Sequence, residues 1–468
     1  MGDPVTAGFR SVPCALCRQP ILEGARKCKH CKRFQPDRAA RAPRAAIMMG
    51  IAVASVFSVI FTSHESVVGS APPLTAIEGE PAASTNVTSL PRNVVPEPAM
   101  GPRRPAPAPK KNWKGREIRM GDVHPLDLSF SKNGQSVFVS ADDATLREYR
   151  VDTGEIVHKT TLPVKGDRIV AFGEKYLALI NSDPGVTQVP VFDVTRWDHD
   201  PVLLEVGAGP TDLREMPDGT VVVGGSASHR LTRFAMPSGR RLDDMTLPQA
   251  ASQVFLLTTT SGHSLAALGA LSHAGRPDGA WMDLFDPKET PFGATRRSVA
   301  VGRDPRFGSV TLAGSSVFFP DFAANKVRLI DVGEQTKMHS ADVGQGPIAA
   351  FVMHDDQFGV TLNAGARTAT TVNLPLLSSA DKAEVTTLML PDEPRRGRLS
   401  PDRSLLFVVL GPSGDPTRGR GVVVIGGEPP DILATVETGL GAHNVTVSPD
   451  GARAAVANYF TKSITILE

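Results

Sequence analysis

The chain has 468 residues, enough for two or three domains, with 41% hydrophobic and 21% charged residues, both ordinary for a globular protein. Its net charge of +1 conceals an asymmetry: residues 1–46 carry ten Lys or Arg against three Asp or Glu, and the remainder carries 40 against 46. All four cysteines fall at or before position 31, which excludes a disulfide framework and thiol chemistry from the large acidic remainder.

The basic head contains Cys14-Ala-Leu-Cys17 and Cys28-Lys-His-Cys31, a C-x2-C-x10-C-x2-C pattern. Two such knuckles place four thiolates around one tetrahedral Zn²⁺, and so short a segment needs the metal to fold. A redox pair calls for a single CxxC near a βαβ pattern, and c-type haem calls for CxxCH, whereas Lys32 follows Cys31. The stretch CALCRQPILEGARKCKHCKRFQPD resembles short bacterial zinc ribbons, with Ala15 in place of the usual Pro and Lys32 in place of the usual Gly. One structural zinc on Cys14, Cys17, Cys28 and Cys31 is therefore expected, in a ribbon and basic flank over 1–44.

From Ala45 to Ser63 no residue is charged, and these 19 residues match the ~20 needed for one membrane-spanning helix. A buried soluble helix and a signal peptide are the alternatives, but a folded ribbon is an odd leader for a signal. Arg33, Arg38, Arg41 and Arg44 precede the span, and no Lys or Arg follows it until Arg92. The positive-inside rule puts the N-terminus in the cytoplasm, where thiols stay reduced. The expected setting is a bacterial inner membrane crossed once, with the bulk of the chain periplasmic or otherwise extracytoplasmic. Membrane topology accounts for the basic residues of the head, so nucleic acid is not an expected partner. Residues 64–112 hold ten prolines and no hydrophobic period, which describes a semi-extended spacer reaching ~40 Å as a coil.

From Trp113 onward, short apolar or alternating runs recur between Gly, Pro, Asn and Asp. A unit starting with Pro or Ala and reaching a turn five residues later recurs at Pro125, Pro210, Pro394 and Ala442, with weaker copies at Pro305 and Pro347. The spacings are 85, 95, 42, 47 and 48, which places two degenerate units near 167 and 251. A period of 42–48 residues fits a four-stranded β-propeller blade, with the S-P-D-G turn joining the innermost strand to the next. Second strands are expected at Val137–Ser140, Val221–Gly224 and Leu405–Val409, and burial is expected to fall from axis to rim. The chain ends after a third strand, and Arg116–Met120 supplies the missing fourth. The fold class is thus mainly β, a propeller over 113–468 with eight blades favoured and seven the alternative.

The last unit, SPDGARAAVANYFTKSITILE, resembles the Y-V-T-N type of propeller repeat, with Ala455 where that family has Tyr, and FFPDFAANKVRLIDV is a looser copy. That resemblance implies a fold used in surface-layer, binding and electron-transfer-associated modules, with some lactonase-like enzymes in the wider group. No G-x-S-x-G, H-E-x-x-H, P-loop or dinucleotide fingerprint is present.

Residues just after each unit-starting position are expected where the inner strands open onto the central channel. There stand Arg306, Arg395, Arg396 and His443, with Asp127, Asp212 and Asn444 alongside. Such a cationic group on an acidic domain suits an anionic ligand or partner, while solvated loop residues paired with nearby carboxylates are the plainer expectation. The preferred reading is a non-enzymatic binding, scaffold or sensor module, with the ribbon contacting a cytoplasmic protein. The alternative is an extracytoplasmic lactonase-like or hydrolase-like propeller acting on a small anionic substrate, for which Asp127, Asp212 and His443 are the nameable candidates.

Overall fold

The computed structural model describes residues 11–13, 20–22, 112–259, 262–269, 279–289, 291–332, 336–379, 383–411 and 421–468. Two units are distinguished, 1–63 and 64–468. In the first, Ser11–Pro13 pairs antiparallel with Pro20–Leu22. The four cysteines, the 45–63 segment and the 64–111 stretch lie outside the described residues. Among the described residues no helix is long and apolar enough to cross a membrane.

The second unit contains eight four-stranded antiparallel sheets. Numbered in chain order, their inner strands are Pro125–Phe130, Arg168–Phe172, Pro210–Glu215, Ala251–Thr259, Ser309–Val310, Pro347–Met353, Pro394–Leu399 and Ala442–Val447. Seven blades take four consecutive strands. Blade 8 takes three, and its outer strand is Gly115–Arg119, paired with Ser463–Leu467 from Gly115↔Leu467 to Arg119↔Ser463. The ring is thus eight-bladed and closed by the first strand of the domain. The degenerate units near 167 and 251 are blades 2 and 4.

The turn chemistry explains how each inner strand folds back. In blade 8, Ser448 Oγ donates to Asp450 Oδ1 (2.5 Å) and accepts from Arg453 N (2.9 Å). Asp450 Oδ1 also accepts from Ala452 N at 3.0 Å. Blade 7 repeats this through Ser400, Asp402 and Leu405 N, and blade 1 through Ser131, Asn133 and Ser136 N. Gly134, Gly219 and Gly451 occupy the left-handed position with φ of 69, 77 and 69°. Arg403 takes that position in blade 7 with φ of 57°.

Burial peaks at the second strand rather than the innermost. Ser136–Ala141, Val221–Gly225, Leu405–Leu410 and Ala454–Asn458 are buried throughout, packed by neighbouring blades on both faces. The inner strand Pro394–Leu399 of blade 7 is half open, because a strand lining a channel keeps one edge towards water. The outer strand Ile156–Thr161 is exposed along most of its length. Blades 6 and 8 also share a buried clasp. Asn363 Nδ2 donates to Thr368 and Thr370 Oγ1 (3.0 and 2.9 Å), and Asn458 Nδ2 donates to Ser463 Oγ and Thr465 Oγ1 (3.1 and 2.8 Å). Each amide therefore locks the second strand to the third.

Candidate functional site in the central channel

Six inner strands start with the same irregularity. Pairing with the second strand skips a residue between Pro125 and Asp127, Pro210 and Asp212, Ala251 and Gln253, Pro347 and Ala349, Pro394 and Arg396, and Ala442 and Asn444. A bulge re-aims the side chains that flank it. Here it turns the residue after the bulge towards the neighbouring blade.

An inner strand is also a sheet edge, so alternate N–H groups lack a ladder partner and need another acceptor. Asp127 Oδ2 accepts from Ile169 N of blade 2 at 2.7 Å, and Oδ1 accepts from Leu128 N (2.8 Å) and from Asn444 Nδ2 of blade 8. Asp212 Oδ2 accepts from Val254 N of blade 4 at 3.0 Å. The Gln253 amide exchanges two 3.0 Å hydrogen bonds with the Gly308 backbone, and Val352 N of blade 6 donates to Ser309 Oγ at 2.9 Å. Asp127, Asp212 and Asn444 thus stitch adjacent inner strands together.

The cations stand beside this tier. Arg396 and Arg398 alternate along blade 7 and share one face. On the opposite face a Cβ at Gly397 would lie 2.8 Å from the Phe351 ring, so that side is filled. Arg396 interacts electrostatically with Asp127 of blade 1 and with Asp167 and Arg168 of blade 2; Arg398 does so with Asp127, Arg168 and Arg214 of blade 3. Both residues are exposed, as befits side chains reaching into a channel. Among the described residues neither makes a hydrogen bond or an ion pair. Partial desolvation within the ring pushes both below the ordinary arginine value, opposed chiefly by Asp127. It pushes Asp127 and Asp167 upwards.

Arg168 is held in place. It donates to Thr211 O at 2.8 Å, meets Asp212 Oδ1 at 3.0 Å, and lies over the half-exposed Phe307 ring of blade 5 at 5.8 Å. Arg214 donates to Val254 O at 2.6 Å and meets the other Asp212 oxygen at 3.3 Å.

At the channel mouth, the bulge residues of blades 7 and 8 are Arg395 and His443. His443 Nε2 lies 2.8 Å from Leu126 O and Nδ1 lies 3.3 Å from Gly441 O. The shorter contact marks Nε2 as the protonated nitrogen of a neutral ring. Burial and the Arg395 charge hold His443 down at about 4. Burial beside Arg396 brings Arg395 down to about 10, so it stays charged at neutral pH. Tyr459 packs edge-on to His443 at 6.0 Å and stacks on His124 at 4.4 Å.

Arg395, Arg396, His443, Asn444 and Asp127 therefore come together on blades 7, 8 and 1, and Asp212 joins them through Arg168. Arg306 does not join them through any of these contacts. It pairs with Asp304 at 2.7 Å and lies over the Phe322 ring at 5.0 Å within blade 5. Sequence reasoning missed Arg168, Arg214, Arg398 and Asp167. Two of them had a signal, because Arg214 and Arg398 stand four residues after Pro210 and Pro394 in the aligned repeats.

No family model matches the chain, and no curated protein matches it. Solved structures do. The C-terminal WD40 domain of Sif2 is similar over 76% of this chain and 98% of that one, with a TM-score of 0.56 and 10% identity. The domain is an eight-bladed β-propeller with WD40-like neighbours. Hydrazine synthase from Kuenenia stuttgartiensis matches 74% of this chain and 96% of that one, at 17% identity and a TM-score of 0.49. The β-propeller domain of Cps50 (Swd1) from Myceliophteria thermophila matches 75% and 98%, at 12% identity and a TM-score of 0.44. At such identities the likeness is one of fold, and function has to be argued from the propeller's own side chains.

Proposed function

We propose that this chain is a binding or scaffold protein whose propeller receives an anionic ligand, or an acidic group of a partner, at the channel mouth formed by Arg395, Arg396 and His443. The observation that carries this reading is the division of labour inside the channel. Asp127, Asp212 and His443, the residues a hydrolytic site would need, are occupied by backbone groups. A carboxylate accepting strand N–H groups and an imidazole facing two carbonyls are poor general bases. The guanidinium groups beside them face the opening and suit oxyanions.

The reading includes a zinc ribbon at 1–44, a single span at 45–63 and a spacer at 64–112, with the propeller outside a bacterial inner membrane and the ribbon contacting a cytoplasmic protein. The antiparallel pair Ser11–Pro13 and Pro20–Leu22, which brackets the first CxxC in sequence, supports the ribbon. The expected zinc content is one ion per chain, lost on Cys14→Ser, and a metal-free wild-type chain would remove the ribbon from the proposal.

The binding reading is tested by capture from membranes with the full-length chain as bait. Wild type is expected to retain a partner or ligand that Arg395→Ala/Arg396→Ala releases. Equal capture by both proteins would mean that the mouth is not the binding surface.

A further inference from the structure

We infer that the channel, from Arg396 of its mouth inwards, holds a small oxyanion of two or more negative charges, gripped by Arg396 and Arg398 of blade 7 against Arg168 of blade 2. This deepens the binding reading and rests on it. It adds Arg398 and Arg168 as ligand residues and places the ligand inside the ring.

Charge accounting inside the channel points there. Arg168 is within electrostatic reach of both Arg396 and Arg398, and Arg214 adds a further cation beside Arg398. Arg168 and Arg214 share the single carboxylate of Asp212. Asp127, whose charge acts on both Arg396 and Arg398, directs its oxygens to Ile169 N, Leu128 N and Asn444 Nδ2 rather than to either guanidinium. Asp167 takes a long 3.5 Å contact from Ser182 Oγ and, among the described residues, makes no ion pair with either arginine. Arg396 and Arg398 thus feel Asp127 electrostatically, yet among the described residues neither makes a hydrogen bond or an ion pair.

Arg396 and Arg398 are exposed, and among the described residues no hydrogen bond or ion pair engages their donors, which leaves them open to an incoming anion. A monovalent ion would match one arginine, whereas a dianion matches both and receives forked donors from each. Arg168 is already oriented by Thr211 O, Asp212 and the Phe307 ring, so it meets an incoming anion with little further ordering. The shared chemistry is that of a phosphoryl group or a dicarboxylate.

The test is the melting temperature of the purified full-length chain at pH 7.5 in inorganic phosphate, in succinate and in sodium chloride of equal ionic strength. Phosphate or succinate is expected to stabilise the wild type beyond chloride, and the better of the two identifies the ligand as phosphoryl or dicarboxylate. Arg398→Gln is expected to weaken the response about ten- to a hundredfold in concentration. Without anion it should melt no lower than wild type, because it removes a cation set beside Arg168 and Arg214; a side chain held only for packing would give the opposite sign. Arg396→Gln is the second variant should the first fail to fold, and Lys326→Gln, an exposed pair with Asp342, is the control. Chloride matching the dianions, or a full response in Arg398→Gln, overturns the inference. A response lost in Arg395→Ala but kept in Arg398→Gln moves the ligand to the mouth, so the inference falls while the binding reading stands.

Discussion

At the scale of single residues, His443 reports the electrostatics of the channel mouth. Its ordinary value of 6.5 falls to about 4 through burial and the Arg395 charge, against the pull of the Leu126 carbonyl. The folded protein therefore prefers the neutral ring. Between these two values the unfolded chain binds a proton that the folded one does not, so stability is fully present above 6.5 and is lost as pH falls towards 4. The whole displacement corresponds to about 3 kcal/mol, which water at the mouth lowers to about 2 kcal/mol. Asp127 and Asp167 act with the opposite sign: their raised values favour the fold below the ordinary carboxylate range, and that contribution is lost as pH rises. Comparison with a variant isolates the imidazole. His443→Gln keeps a donor for Leu126 O and has no charge to gain. It is expected to flatten the fall in melting temperature between pH 6.5 and 4, at a cost near neutrality of about 1 kcal/mol for the lost contact with Tyr459. Parallel curves for the two proteins across that window would show that His443 does not titrate as described.

At the scale of elements, what the sequence announces is what the backbone itself requires. The Ser-x-Asp-Gly turns are legible because a reversal between two strands needs a left-handed residue and a side chain to accept the freed N–H groups. Those residues stand at Ser448–Gly451 and, in looser form, at Ser131–Gly134. Blade 2 escapes the pattern because its reversal from Phe172 to Tyr176 is shorter. Gly173 supplies the left-handed residue, and its N–H is taken by Glu215 of the next blade rather than by a local Ser or Asp. Blade 5 blurs its own start, with an inner strand reduced to Ser309–Val310 and an isolated bridge from Pro305 to Asp321. The same logic separates the site residues. Arg395, His443 and Asp127 could be named because a Pro or Ala marks the bulge beside them. Asp127, Asp212 and Asn444 announce their position but not their task, since an Asp that accepts an N–H from the neighbouring blade looks in sequence like an Asp awaiting a ligand. Arg168 carries no mark at all, because its blade has no bulge and pairs continuously from Arg168↔Ile180 to Phe172↔Tyr176.

At the scale of the whole molecule, the ring is held shut by a strand shared between the two ends of the domain. Lys114 N donates to Glu468 O at 2.9 Å and Glu468 N donates back to Lys114 O at 3.1 Å, so the ends meet inside blade 8. The first strand is also anchored beyond its ladder. Trp113 packs edge-on to Phe407 of blade 7 at 5.1 Å, and Ile118 and Met120 are buried with Leu128 and Phe130 of blade 1. Opening the ring at blade 8 thus means breaking a ladder and two apolar contacts with neighbouring blades, whereas a ring opened between blades 3 and 4 loses side-chain packing and side-chain clasps such as that of Asp212 but no strand ladder. Circular permutation separates the two cases. With 468 joined to 113 by a short linker, new ends placed between 379 and 383 leave the outer strand of blade 6 to be supplied from the new N-terminus, which recreates an interleaved closure. New ends placed between Leu247 and Ala251 fall between blades 3 and 4 and leave no strand to share. The first permutant is expected to melt cooperatively near the unpermuted propeller. The second should melt lower and more broadly, because its terminal blades can separate without breaking a sheet. Indistinguishable melting of the two would mean that inter-blade packing and the clasps at Asp127, Asp212 and Gln253 suffice to close the ring, and that the shared strand sets its topology without setting its stability.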